Sequence, residues 1–316
     1  MHGRQPLRIG TRATALALAQ THEVMRILAE EFPDTPMEIV EITSAGDQVL
    51  DVPIAEVGGS GVFTSAVERA LIAGEIEIAV HSAKDLPSAL AEGCAIGAAL
   101  PRADARDVLV TRDGINSLDD LPQGARVGTS SPRRQALLRE CRPDLELVTL
   151  RGNVPTRLSK LDAGEVDATV LAAAGLLRLG LEGRITCPLA DTDFIPAPGQ
   201  GIIAVEVRKG EMRDVCKALN SESSMSELMA ERAFLAEVNA GCHAPVGARA
   251  WRCEREVLIK AVIADPSGHP VHRSGRVGPA SVVELNGKML AQSMLAAGGK
   301  VILDAVKKAL EEKGAS

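Results

Sequence analysis

The residues with the clearest chemical potential are an ammonium and a carboxylate side by side, Lys84 and Asp85, just after the alternating apolar positions Ile76, Ile78 and Val80. That alternation reads as a buried strand, and His81, Ser82, Lys84 and Asp85 follow it before Pro87 closes the turn. In open α/β sheets ligands gather outside the carboxyl ends of strands, so the placement suits chemistry. A solvated Lys–Asp turn is the plainer alternative for the pair taken alone. A second candidate is Cys242, in the Gly/Pro loop from Glu237 to Pro245, with His243 beside it. A basic neighbour favours the nucleophilic thiolate; an inert, partly buried thiol is the other reading.

A third set is cationic. Of the 35 basic residues 25 are Arg, and all ten between Lys84 and Lys160 are Arg. Arg133 and Arg134 fall on the first turn of a helix, where two cations oppose the dipole and call for a nearby anion. Arg151 and Arg157 bracket a junction after an expected strand at 145–150, and Arg178 follows an expected strand at 168–173. The planar guanidinium fork matches carboxylate or phosphate, which points to an anionic ligand. An Arg-rich composition is the competing explanation.

The elements that must position these groups repeat. RIGTRATALA at Arg8 and RVGTSSPRRQA at Arg126 each run from a short strand through a glycine turn into a helix N-terminus, where free N–H groups suit an anion. The first helix is expected over 13–31, and the second has Ser131 as N-cap with Pro132 at its first position. GEIEIAVHSAKDL at Gly74 and GEVDATVLAAAGL at Gly164 match in the same order, so a duplicated α/β fold with a cleft between its halves is expected. The alignment sets Gly175 opposite Asp85, so only one half offers an acid at that strand end. The first half has a longer insert, and Ser44 to Gly61, with four glycines and no period, reads as a flap over the cleft. Asp193 to Gln200 reads as a crossover, returning to a strand over 202–207 that completes the first sheet. Beyond Asn220 a long helix, three strands and C-terminal helices form a small separate unit.

Composition narrows the classes. The chain has 316 residues, 46% of them hydrophobic, and is long enough for two or three cores. No apolar run approaches the ~20 residues that span a bilayer, and MHGRQPLRIG has no signal-peptide core, so a cytoplasmic location is expected. The six cysteines show no C-x-x-C pair and no His at zinc-ligand spacing. A net charge of -7, one Trp, four Phe and no Tyr argue against nucleic acid as partner.

Taken in order, RIGTR with LALAQ, VHSAKDLP, GTSSPRRQ, LRGNVPTRLSKLDAGEVDA, AGLLRLGL, PAPGQG and ERAFLAEVNAGCHAP resemble the hydroxymethylbilane synthase, or porphobilinogen deaminase, family. The resemblance covers nearly the whole chain. It implies two periplasmic-binding-protein-like α/β domains plus a small C-terminal α+β domain, with domain 1 at 1–101 and 200–219, domain 2 at 102–199 and domain 3 at 220–316. It implies a transferase that joins four porphobilinogen molecules head to tail into hydroxymethylbilane, with loss of ammonia, on a dipyrromethane held by thioether to Cys242.

By the same resemblance Asp85 is the catalytic carboxylate, while Lys84, Thr129, Ser130, Ser131, Arg133, Arg134 and Arg157 hold the cofactor. Arg12, Thr14, Gln20, Arg151 and Arg178 hold substrate or the growing chain. No metal, membrane or nucleic-acid partner is implied, and a monomer is. Thr14 stands where the family commonly has Ser, Pro132 where it has Leu, and Glu56 and Ser60 where the flap is often Lys. A noncatalytic two-lobed anion binder and an enzyme using Cys242 with His243 as nucleophile and base are the rival readings.

Overall fold

The computed structural model describes residues 5–43, 65–112, 114–239 and 244–314. The expected flap, with Glu56 and Ser60, lies outside the described residues, as do Cys242 and His243.

Two five-stranded sheets carry the first two-thirds of the chain. One contains β1 (Leu7–Arg12), β2 (Met37–Ile42), β3 (Ile78–Ser82), β4 (Cys94–Ala99) and the returning β10 (Ile203–Arg208), ordered β2-β1-β3-β10-β4. The other contains β5 (Asp107–Thr111), β6 (Arg126–Gly128), β7 (Glu146–Val148), β8 (Ala168–Ala172) and β9 (Cys187–Pro188), ordered β7-β6-β8-β5-β9. In each, three neighbouring strands are parallel and the fourth runs antiparallel to the third.

The duplication reaches single hydrogen bonds. Arg8 N donates to Glu77 Oε2 at 2.8 Å, and Arg126 N donates to Asp167 Oδ2 at 2.8 Å. The same two guanidiniums reach the carbonyls of Gly74 and Gly164. Each sheet therefore repeats one strand–turn–helix plan, as the paired sequence segments predict.

Local signals explain the helix starts. The Thr14 hydroxyl accepts from Ala17 N at 3.3 Å, so α1 (Ala15–Glu31) begins two residues later than the apolar pattern alone indicates. Following α2 (Ser65–Ile72), α3 (Pro132–Cys141) has the expected Ser131 cap and Pro132 at its first position. Asn153 caps α4 (Val154–Asp162) through Thr156 N at 2.9 Å.

Two sequence-based boundaries move. His81 and Ser82 lie inside β3, because Ser82 pairs with Ile203 and His81 with Ala204, and only Ala83–Asp85 form the following turn. The strand expected over 168–173 ends at Ala172, and its Ala/Leu-rich continuation is α5 (Ala173–Arg178). Arg178 thus stands at a helix end rather than directly after a strand.

Each lobe has its own core. Ile9, Val80, Leu100, Ile203 and Val205 pack with Val24 and Leu28 of α1, and Leu109, Val127, Val170 and Leu137 pack in the second lobe. After α6 (Arg213–Leu219), α7 (Glu222–Val238) leads into an antiparallel sheet of β11 (Val246–Cys253), β12 (Glu256–Ala264) and β13 (Val271–Pro279). α8 (Val283–Met294) covers that sheet together with α7 around Phe234, Ile259 and Leu290, and α9 (Lys300–Gly314) follows. Val262 and Ala264 of this unit join the core of the second lobe, and Leu228 of α7 joins an apolar cluster of the first. The third unit is wedged against both.

The helical stretch Ala280–Glu312 is, among the described residues, one long and apolar enough by length and composition to cross a membrane, against the sequence expectation. It is not one straight rod. Gly298 breaks it with φ 112°, and α8 buries Leu290, Ala291 and Met294 in the core of the third unit.

Candidate active site

The strand ends of the first lobe form one wall of a cleft. Arg12 at the end of β1, Thr14 at the cap of α1, Gln20 within it, His81 and Ser82 at the end of β3 and Asp85 in the turn after it line one pocket. An adjoining pocket shares Gln20 and Ser82 and adds Lys84, Arg178, Gly175 and Gly199. Asp85 is exposed and Lys84 half-buried.

Lys84 is a strongly perturbed cation. Burial lowers its ammonium to about 8; Asp85 and Asp107 act to raise it, and Arg134 and Arg133 act with the burial. A lysine held like this gains much from any anion that enters. Arg157 is lowered to about 10 by burial and by Arg134, with Asp85 opposing. Its Nε donates to the Gly152 carbonyl at 2.8 Å, which fixes the base of the fork.

Arg133 and Arg134 are buried on the first turn of α3, and the anion their position calls for is internal. Arg133 Nη1 reaches Asp107 Oδ2 and Arg134 Nη2 reaches Asp107 Oδ1, each at 2.8 Å. Burial pushes the Asp107 carboxyl up, but the two guanidiniums outweigh it and hold the group well below the usual carboxylate range. Arg133 also donates to the Ile195 carbonyl and Arg134 to the Val170 carbonyl, both through Nη1. Arg134 Nε is buried without a hydrogen-bond partner.

The hydroxyls beside this pair have partners within the chain. Ser130 Oγ donates to the Leu150 carbonyl at 2.8 Å, Thr129 Oγ1 accepts from Ser131 N at 3.3 Å, and Ser131 caps α3. Each keeps further hydrogen-bonding capacity. Gln20 Nε2 lies 2.8 Å from Ser82 Oγ. Arg178 reaches across the cleft to Glu23 of α1 at 3.2 Å and to the Gly201 carbonyl at 3.0 Å. Arg151 is half-buried between β7 and α4 and does not line either pocket.

The structure therefore gathers Arg12, Thr14, Gln20, Lys84, Asp85 and Arg178 at one cleft, with Arg133, Arg134 and Arg157 in electrostatic reach of Lys84 or Asp85. It also adds Asp107, Gln200 and Glu23, which sequence reasoning missed. Asp107 had a usable signal. Ser82 pairs with Ile203 where the equivalent Ala172 pairs with Asp107, so the repeat sets a buried acid opposite an isoleucine.

A cleft with cations on both lips and, among the described residues lining it, a single acid on one suits a ligand with several carboxylates that develops positive charge at its reacting end. The family model described as porphobilinogen deaminase, dipyromethane cofactor binding domain, matches residues 7–215, and that of the porphobilinogen deaminase C-terminal domain matches residues 225–296. The chain belongs to the porphobilinogen deaminase family. It is 47% identical over 302 residues to the porphobilinogen deaminase of Roseiflexus castenholzii, covering 95% of this chain and 99% of that one. It is 41% identical over 305 residues to that of Syntrophobacter fumaroxidans, covering 96% and 98%. Among solved structures, the methionine binding protein MetQ aligns over 69% of this chain and 91% of its own, at 13% identity and a TM-score of 0.44.

In the porphobilinogen deaminase family setting, four other cysteines lose interest as nucleophiles. Burial pushes the thiols of Cys94 and Cys141 up to about 11, and raises those of Cys187 and Cys216 as well.

Proposed function

We propose that this chain is a transferase that joins four porphobilinogen molecules head to tail into hydroxymethylbilane, releasing ammonia at each addition, on a dipyrromethane attached to Cys242. The reading takes its three units as 1–101 with 200–219, 102–199, and 220–316, and takes the chain as a cytoplasmic monomer, in line with the family resemblance. The observation that carries it is the pairing of one exposed carboxylate, Asp85, with the cations Lys84, Arg12 and Arg178 among the described residues that line the same cleft.

The residues fit a bound polycarboxylate. Burial outweighs the nearby acids at Lys84 and Arg157, and Arg134 Nε is buried without a hydrogen-bond partner, so an entering anion stabilises all three. Lys84, Arg134, Arg133 and Arg157, with Thr129, Ser130 and Ser131, would hold the acetate and propionate groups of the dipyrromethane. When bound, that group supplies an electron-rich pyrrole carbon as nucleophile.

The chain's own residues do the rest. Arg12, Thr14, Gln20, Arg151 and Arg178 bind and orient the incoming porphobilinogen, or the growing chain, through its two carboxylates. As ammonia leaves, positive charge spreads over the porphobilinogen ring, and the Asp85 carboxylate stabilises it at the pyrrole nitrogen. Asp85 would also accept the proton that the ring loses once the new bond has formed and pass it to the medium or to the amine of the next porphobilinogen.

The test is Asp85→Asn. Porphobilinogen consumption should fall by about a hundredfold or more with fold and attached pyrroles retained. Near-normal consumption would remove Asp85 from its role.

A further inference from the structure

The crossover ends in a side chain that joins the two lobes. Gln200 is 1% exposed. Its Nε2 donates to Asp107 Oδ1 at 2.8 Å and to the Ala105 carbonyl at 2.7 Å, while its Oε1 faces Lys84 Nζ at 3.5 Å. An amide has both a donor and an acceptor end, and here each end meets the group of matching polarity. Glutamate in its place would set a second negative charge against Asp107, and an apolar side chain would leave both contacts unmade.

The backbone holds this side chain in place from both sides. Gly199 has φ +76°, and a Cβ there would lie 2.9 Å from the Ala83 carbonyl carbon and 3.0 Å from Lys84 N, so the segment rests directly on the turn carrying Lys84. Gly199 N donates to Glu231 Oε2 at 2.6 Å, and the Arg102 guanidinium holds the Gln200 carbonyl at 2.8 Å. Arg102 itself is pinned by Glu227 and Glu231 of α7.

We propose that Gln200 is a positioning residue: its amide ties the Lys84 ammonium of the first lobe to the Asp107, Arg133 and Arg134 cluster of the second, setting the spacing of cations across the cleft. It rests on the function proposed above only for the identity of the ligand, a pyrrole polycarboxylate. The charged groups facing Lys84 are Asp85 on its own turn, Asp107 from β5, Arg133 and Arg134 from α3, and Arg178 from α5 in the shared pocket.

The test reads Lys84 directly, in the full chain carrying Cys242→Ala so that no pyrrole is attached. Carbon-13 at the lysine ε position reports its titration by NMR, the signal being assigned through its loss in Lys84→Arg. Gln200→Met should lower the titration midpoint by about one pH unit, the worth of a lost hydrogen bond to a charge, and Gln200→Glu should raise it by at least as much. If the Met variant does not fold, Gln200→Asn, which withdraws the amide from Lys84, should shift the midpoint downward in its place. An unchanged midpoint in whichever of these variants folds overturns the proposal and leaves Gln200 as packing. Absence of a pyrrole adduct on the unmodified chain would sink the function proposed above and leave this result standing.

Discussion

His81 Nε2 lies 3.0 Å from Glu206 Oε2, two buried polar groups facing each other across β3 and β10. The repeat makes the pair conspicuous. By the registers of the two sheets, the second lobe has Leu171 where the first has His81, and Val110 where it has Glu206. The first lobe thus carries a polar pair inside a layer that the same fold builds from aliphatic residues.

Removing one partner should be far worse than removing both. His81→Leu strands a fully buried carboxylate and should cost on the order of 3–5 kcal/mol, whereas His81→Leu with Glu206→Val, which copies the second lobe, should recover most of that loss. Urea unfolding of the wild type, the single and the double variant checks this. A double variant as unstable as the single would mean that Glu206 is held by its other neighbours, among them Arg232, rather than by His81.

The Asp107 ion pairs carry an acid-side consequence. A carboxyl held below its unfolded value contributes stability that is fully present above about pH 4, and it is lost as pH falls below that, because the unfolded chain then takes up the proton first. Asp107→Asn leaves Arg133 and Arg134 facing an uncharged group and should cost on the order of 3–5 kcal/mol at neutral pH. It should also flatten the decline of stability between pH 4 and pH 3. Thermal melts across that range would contradict the account if the variant and the wild type lost stability in parallel.

Lys84 gives a slope of the same sign on the alkaline side. With a folded value of about 8 and an unfolded value of about 10.4, the folded chain releases its proton first, so stability rises with pH between those limits and the burial penalty is constant below them. Anion binding moves the other way. As pH rises through about 8 the cofactor-free site loses its charge, so uptake of the dipyrromethane by chain prepared without it should weaken by up to tenfold per pH unit. Lys84→Arg keeps the charge and should flatten that limb. The same limb in the Arg variant would assign it to another group.

The sequence was most legible where structure is local. Ser131 and Pro132 mark a helix start through contacts within three residues, and both hold in the structure, whereas Thr14 caps α1 and sets its start two residues beyond the expected one. The duplicated strand–turn–helix segments are likewise short-range patterns, and they carried the two-lobed fold. What stayed hidden was set by distance along the chain. Asp107 meets Arg134 across 27 residues and Gln200 meets Lys84 across 116, and neither separation leaves a periodic trace. The Ala/Leu run after β8 has no polar alternation, so strand and helix were indistinguishable there and Arg178 was assigned to a strand end.

The central claim, a pyrrole primer joined through sulfur at position 242, is tested most directly by intact mass of the freshly purified chain. The unmodified protein should be heavier than its sequence by two linked pyrrole units, and Cys242→Ser should show the bare sequence mass. A wild-type protein at its bare mass, or an adduct that survives in Cys242→Ser, would contradict the account.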